Sequence, residues 1–170
     1  MALKIRQGDV DDIVALVELG SEMHEEAPAF NKMDYDPKKL LQLGVVLSEQ
    51  GGMFLAEKDD NEIIGMFLGV VMPHYFGSDL MANDLCFFVK KEHRGSTAAP
   101  RLIKAFEKWA WANGATALRF GISTGVEAKR TLKLYEKLGF SQDGYLVNKY
   151  YQSKKEKEKW EQAQTRKISS

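Results

Sequence analysis

Between Leu85 and Phe106 the chain reads LCFFVKKEHRGSTAAPRLIKAF, and this stretch limits the fold more than any other. LCFFV is apolar at every position, so it is expected to be a strand covered on both faces, inside a sheet rather than at its edge. A basic link then passes through Arg94-Gly95 into a predicted helix. Its apolar residues Leu102, Ile103, Phe106, Trp109 and Ala110 share one face, and Asn113-Gly114 closes it. A doubly buried strand leading into an amphipathic helix implies helices layered on a central sheet.

The flanking segments extend that pattern. LKIRQG alternates as a short strand, Asp9 is a good N-cap, and Ile13, Leu16, Val17, Gly20 and Met23 follow at helical spacing. From His24 the stretch HEEAPAFNKMDYDP loses the period and reads as a loop or broken helix. It leads into a second helix around DPKKLLQLGVVLSEQ, ended by Gly51-Gly52. MFLAEKDD and EIIGMFLGVVM are two strands joined as a hairpin at DDNE, and PHYFGSD is a loop. ALRFGIS is a further strand, AKRTLKLYEKLGF a helix stopped by Gly139, and YLVNKYY a last strand. The order βααβββαβαβ is an α/β arrangement in which early strands meet as hairpins and later ones alternate with helices.

At 170 residues the chain is expected to be one domain, residues 1–151, followed by a charged tail, 152–170. The tail reads as a solvated helix or a disordered end, with Trp160 available to dock back. Twenty-four basic residues balance 24 acidic ones, so nothing global points to nucleic acid, and the glutamates within the tail argue against a nucleic-acid arm. The single cysteine, Cys86, excludes an internal disulfide, fits a reducing compartment and reads as a small buried hydrophobe. His24, His74 and His93 lack metal-ligand spacing, so no metal is expected. MALKIRQGDVDD has no signal-peptide core and no run is long enough to span a membrane, which makes the cytoplasm the expected compartment.

The small residues that lead into the helix predicted after Arg94-Gly95 have a physical use. A helix N-terminus presents unpaired N–H groups and a positive dipole end, which together favour an anion. Gly95 lets the backbone approach closely, Ser96, Thr97, Ala98 and Ala99 keep side chains small, and Arg94 adds a cation suited to phosphate. An ordinary loop capped by Ser96 or Thr97 accounts for the same residues equally well.

Downstream, LYEKLGF (Leu134–Phe140) decides between these readings. Together the two segments resemble the GCN5-related N-acetyltransferase (GNAT) superfamily. There a strand ends near a valine, an Arg-x-x-Gly-x-Gly/Ala loop opens a helix that holds the cofactor pyrophosphate, and a later helix carries Tyr-Glu-x-x-Gly-Phe. The counterparts here are Val89, Arg94 to Ala99, and Tyr135, Glu136, Gly139 and Phe140. The resemblance covers residues 3–151 and implies the GNAT fold, a mixed central sheet flanked by helices. HRGSTAAPRL and STGV also look like small acetyltransferases of bacteria and their phages. Two positions depart from the pattern: Thr97 stands where the middle glycine is usual, and Ala128 where an asparagine is common.

The resemblance implies acetyl transfer from acetyl-CoA to an amine, on a small molecule or a protein, by direct attack in a ternary complex. Phe88, Val89 and the loop Arg94, Gly95, Ser96, Thr97, Ala98, Ala99 would bind acetyl-CoA, with backbone near Phe88-Val89 as the oxyanion donor. Tyr135 is the candidate acid for the departing thiolate, since a phenol is a neutral donor at pH 7; otherwise it packs on the sheet with Leu132 and Leu138. Asp84 is either the base that takes the amine proton or a cap beside Asn83. Glu25, Glu26, Asp34 and Asp36 form an acidic run that either attracts a cationic amine or is a solvated loop. Tyr75 and Phe76 either line the acceptor pocket or pack their own loop. Lys129 and Arg130 either reach the cofactor's phosphate or face solvent. Many members of the family dimerise, and a homodimer is expected to meet through YLVNKYY and the tail. The competing reading is a non-catalytic domain of the same fold that binds acyl-CoA or a protein.

Overall fold

The computed structural model describes residues 2–59, 61–150 and 154–168. Five strands form one sheet in sequence order: β1 (Leu3–Gln7), β2 (Met53–Lys58), β3 (Ile63–Pro73), β4 (Leu80–Val89) and β5 (Ala115–Arg119). Neighbours pair antiparallel from β1 to β4, whereas β5 lies parallel to β4. Helices α1 (Ile13–Glu26) and α2 (Pro37–Gln50) pack on one face, and α3 (Ala98–Ala112) and α4 (Ala128–Lys137) on the other. A charged helix, α5 (Lys154–Ile168), follows. The result is a mixed α/β sheet between helices, as the sequence pattern implies.

Local chemistry starts the first helix. Asp9 accepts the Asp11 N–H at 2.9 Å while Asp12 accepts the Asp9 N–H at 2.9 Å, a reciprocal cap on the short turn before α1. Asp12 also grips both terminal nitrogens of Arg6 at 2.7 Å, and Arg6 reaches Glu57, so β1, β2 and the start of α1 share one ion cluster. That contact holds the Asp12 carboxyl below the usual carboxylate range.

Strand β3 divides the core by alternation. Met66 and Leu68 join Leu16, Leu19, Met23 and Leu47 on the α1/α2 side. Phe67 faces the other way, its ring 4.5 Å from that of Phe106 on α3. Gly69 flanks it because nothing larger fits: a Cβ there would lie 2.4 Å from Phe106 Cζ. The helix face of Leu102, Ile103, Phe106 and Ala110 is wholly buried against this surface, as its spacing predicts.

Three elements differ from the sequence reading. β4 begins at Leu80, ahead of the apolar LCFFV, because Leu80 to Asn83 are paired on both sides, by β3 and β5. β5 stops at Arg119, so the last four residues of ALRFGIS leave the ladder. The predicted strand YLVNKYY is not formed over the described residues 145–150, and its Tyr151 lies outside them. Tyr145 is 91% and Val147 87% exposed, so this β-prone segment has found no sheet edge, and strand preference is realised only against a partner. Tyr150 instead donates its hydroxyl to the Ala29 carbonyl at 3.0 Å, with Lys32 over its ring.

Candidate functional site

Strands β4 and β5 pair only from Leu80 opposite Ala115 to Asn83 opposite Arg119. Beyond that pair they part. The first side chain past it, Asp84, accepts the Gly121 N–H on Oδ1 at 2.8 Å and so bridges the start of the gap. A cavity of about 440 Å³ fills the wedge, walled by Asp84 to Val89 on one side and Gly121 to Thr124 on the other. Successive strand residues point to opposite faces, so a wall of consecutive residues means that the open edge of β4 is reached from both. Met23 of α1 lines the cavity from one side and Tyr135 of α4 from the other.

A β-bulge sets which groups meet there. Leu68 lies opposite Cys86 and Gly69 opposite Asp84, leaving Leu85 as an extra residue. Asp84 therefore shares the α3/α4 face with Gly69 and Ala82, and Cys86 turns to the α1 face, its Sγ 3.7 Å from Met23 Sδ. Burial pushes the Asp84 carboxyl up to about 6 against the Gly121 hydrogen bond, and pushes the Cys86 thiol up to about 11. Tyr135 is 4% exposed, amid Phe87, Phe120 and Phe140 at ring distances of 6.5, 5.8 and 5.4 Å. Its hydroxyl has no hydrogen-bond partner among the described residues. Burial, reinforced by the Asp84 charge, raises this phenol above its usual range, so it stays a proton donor at neutral pH. An unpaired buried hydroxyl costs about 1–3 kcal/mol, which packing alone does not explain.

The mouth is the loop before α3. Gly95 sits at φ +89°, a left-handed conformation that favours glycine. Ser96 Oγ donates to the His93 carbonyl at 2.7 Å and accepts the Ala98 N–H at 3.2 Å, so it caps the helix, while Thr97 makes no side-chain cap. Arg94 turns inward: Nε donates to the Val89 carbonyl at 2.9 Å, and its two terminal nitrogens hold Glu26 at 2.6 and 2.5 Å. Across the mouth Glu127, at φ 42°, precedes α4 and pairs with Arg130 at 3.0 Å. The residues present suit a phosphorylated thioester: a glycine opening beside a helix N-terminus, a wedge along a strand edge, and an orphan hydroxyl deep inside.

The sequence profile of the acetyltransferase (GNAT) family matches residues 16–140. The chain belongs to the GNAT acetyltransferase family. Among solved structures, AAC(6')-Iy in complex with the bisubstrate analogue CoA-S-monomethyl-acetylneamine superposes with a TM-score of 0.71 at 18% identity, covering 90% of this chain and 100% of that one. An aminoglycoside acetyltransferase from an uncultured soil metagenomic sample gives 0.67 at 19%, covering 89% and 99%. An acetyltransferase of Trypanosoma brucei gives 0.66 at 17%, covering 88% and 100%. No curated protein matches the sequence.

Within this GNAT wedge the predicted residues fall into two groups. Tyr135, Asp84, Phe88, Val89, Arg94, Gly95, Ser96 and Ala99 line the cavity. Ala98 is fully buried beneath the loop and Thr97 is exposed, its methyl and hydroxyl outside the cavity lining. The acidic run disperses: Glu26 binds Arg94, Glu25 is exposed beside Ser21, and Asp36 caps α2. Tyr75 is 77% exposed on the β3–β4 hairpin tip, stacked on His74 at 4.3 Å and outside the cavity lining. Glu127 and Lys133 line the mouth but carry no local signal in the sequence, because only the placement of α4 brings them there.

Proposed function

We propose that the chain is an N-acetyltransferase that moves the acetyl group of acetyl-CoA to a small-molecule amine by direct attack in a ternary complex. The observation that supports it most is the buried, unpartnered Tyr135 hydroxyl lining the wedge with Asp84. Acetyl-CoA supplies the activated acyl group. The pantetheine arm would follow Phe88 and Val89, and the phosphates would face the loop from Arg94 to Ala99. A free amine near pKa ~10.4 is protonated at pH 7 and must lose a proton before it attacks. Asp84 takes that proton, directly or through a water. The amine nitrogen then bonds to the carbonyl carbon, backbone at the open edge of β4 donates to the developing oxyanion, the C–S bond breaks, and Tyr135 gives its proton to the thiolate. The nitrogen sheds its remaining extra proton to solvent as the amide forms, and a solvent proton restores the Tyr135 phenol.

Aminoglycoside acetyltransferases among the structural neighbours make small polyamines the first acceptors to try. The same reading carries a homodimer joined through residues 145–150, which sedimentation would test. The deciding experiment is free-thiol release from acetyl-CoA with a panel of amines, aminoglycosides included, for wild type and Tyr135→Phe. Turnover with at least one amine, strongly reduced in the variant, is expected. Tight acetyl-CoA binding with no thiol release for any amine would replace this reading with the non-catalytic one.

A further inference from the structure

Arginine at the mouth of the cavity is present twice, and the two side chains differ in freedom. Arg94 carries five N–H donors in a rigid fork. The fork spans the Glu26 carboxylate at 2.6 and 2.5 Å, Nε holds the Val89 carbonyl at 2.9 Å, and Phe88 underlies it with its ring centroid 5.5 Å away. The side chain is 15% exposed. To reach a phosphate it would abandon a bidentate partner and a backbone carbonyl, and leave Glu26 half-buried without its cation. Arg130 is 56% exposed, and its one ion-pair partner among the described residues is Glu127, 45% exposed and just ahead of α4, which also stands 4.0 Å from Arg94; an exposed pair of this kind contributes little. Arg130 Nη2 lies 3.0 Å from where a Cβ on Gly95 would sit, directly above the opening of α3.

We infer that the two arginines divide the work: Arg94 is a strut fastening the last residue of α1 to the end of β4 and the loop, and Arg130 is the cation that meets the cofactor's phosphates. This rests on the acetyl-CoA reading above. The strut joins three elements that line one cavity, since Glu26 ends α1, Val89 ends β4 and Arg94 opens the loop. Arg94 is thus a positioning residue, which holds the glycine opening at the right distance from the wedge. Glu127 occupies Arg130 as a carboxylate that an incoming phosphate displaces.

Calorimetric titration of acetyl-CoA at low and high salt, with unfolding midpoints for each variant, separates the roles. Glu26→Gln and Arg94→Ala are expected to weaken binding by a similar factor, roughly 3–10-fold, with the double variant no worse than Arg94→Ala and the salt dependence unchanged. Arg130→Ala is expected to weaken binding about 10-fold and to flatten the salt dependence. Tighter binding by Glu26→Gln would mean that Arg94 is a phosphate ligand held back by Glu26, and would overturn the assignment. So would additive losses, or an unchanged salt dependence in Arg130→Ala. No binding by wild type would sink the acetyl-CoA reading and the part given to Arg130. The strut would then stand on non-additive unfolding midpoints, and fall if these were additive.

Discussion

The two halves of β4 differ in what holds them. From Leu80 to Asn83 the strand is hydrogen-bonded on both sides, to β3 and to β5. From Asp84 to Val89 its strand partner among the described residues is β3 alone, and the other edge opens on the cavity. Where the two halves meet, Gly69 packs between Phe106 and the Asn83 carbonyl with no space to spare. Beside the open half lie a carboxyl, a thiol and a phenol, each shifted by burial toward its neutral form. Hydrogen bonding is complete in one half, and the buried titratable groups gather beside the other. Removing side chains should therefore destabilise the first region and relax the second.

The largest effect belongs to the packed region. Phe106→Ala should cost about 3–5 kcal/mol in denaturant unfolding, since its ring fills the space against Phe67 and Gly69. A loss under 1 kcal/mol would erase the contrast. Asp84→Asn should act in the opposite direction. The folded protein holds this proton more tightly than the unfolded chain does, with values of about 6 against 3.8. The stability this gives wild type is fully present below the unfolded value and is lost as pH rises through 6. At pH 8 the variant should thus be more stable by about 3 kcal/mol. The gap should close as pH falls from 6 to below 4, and thermal melts across that range would check it. Its acetyl transfer should fall and lose the pH dependence centred near 6.

Tyr135→Phe sharpens the comparison further. Turnover should drop about 100-fold while stability stays within about 1 kcal/mol or rises, because the lost hydroxyl has no partner among the described residues to forfeit. Steady-state kinetics beside melting curves would show it, and equal loss of both would make Tyr135 a packing residue. The smallest effect is at the mouth, where Glu127→Gln should tighten acetyl-CoA a few-fold by freeing Arg130. Weaker binding in that variant would count against Arg130 as the cation that meets the phosphates.

Sequence alone disclosed what is local. The Arg94-Gly95 turn, the buried face of α3, the Asp9 cap and the Tyr135 segment are written in neighbouring residues, and the structure has them all. It did not disclose what depends on distant pairing. The partner of Arg94 is Glu26, 68 residues earlier, so no window around the loop shows that its charge is already engaged. The end of β5 at Arg119 depends on where β4 stops accepting a neighbour, and ALRFGIS keeps its β-like composition through the break. YLVNKYY failed for the same reason from the other side, having strand-like residues and no edge to join. Tyr75 is close to β4 in sequence, yet the ten residues of that strand separate its turn from the loop before α3, a distance that sequence proximity hides.

The extra residue at Leu85 behaves like a frameshift in a two-letter code. Upstream of it the even-numbered side chains of β4 look toward α3, and downstream the odd-numbered ones do. Deleting that one residue would restore a single frame, and either Ala82 and Asp84 or Phe87 and Val89 would then exchange faces. Single substitutions in β4 can change which groups line the cavity, but none of them can straighten the strand. Evolution can rewrite the letters here far more easily than the spacing, so altered acceptor preference is open to such a chain while loss of the bend is not.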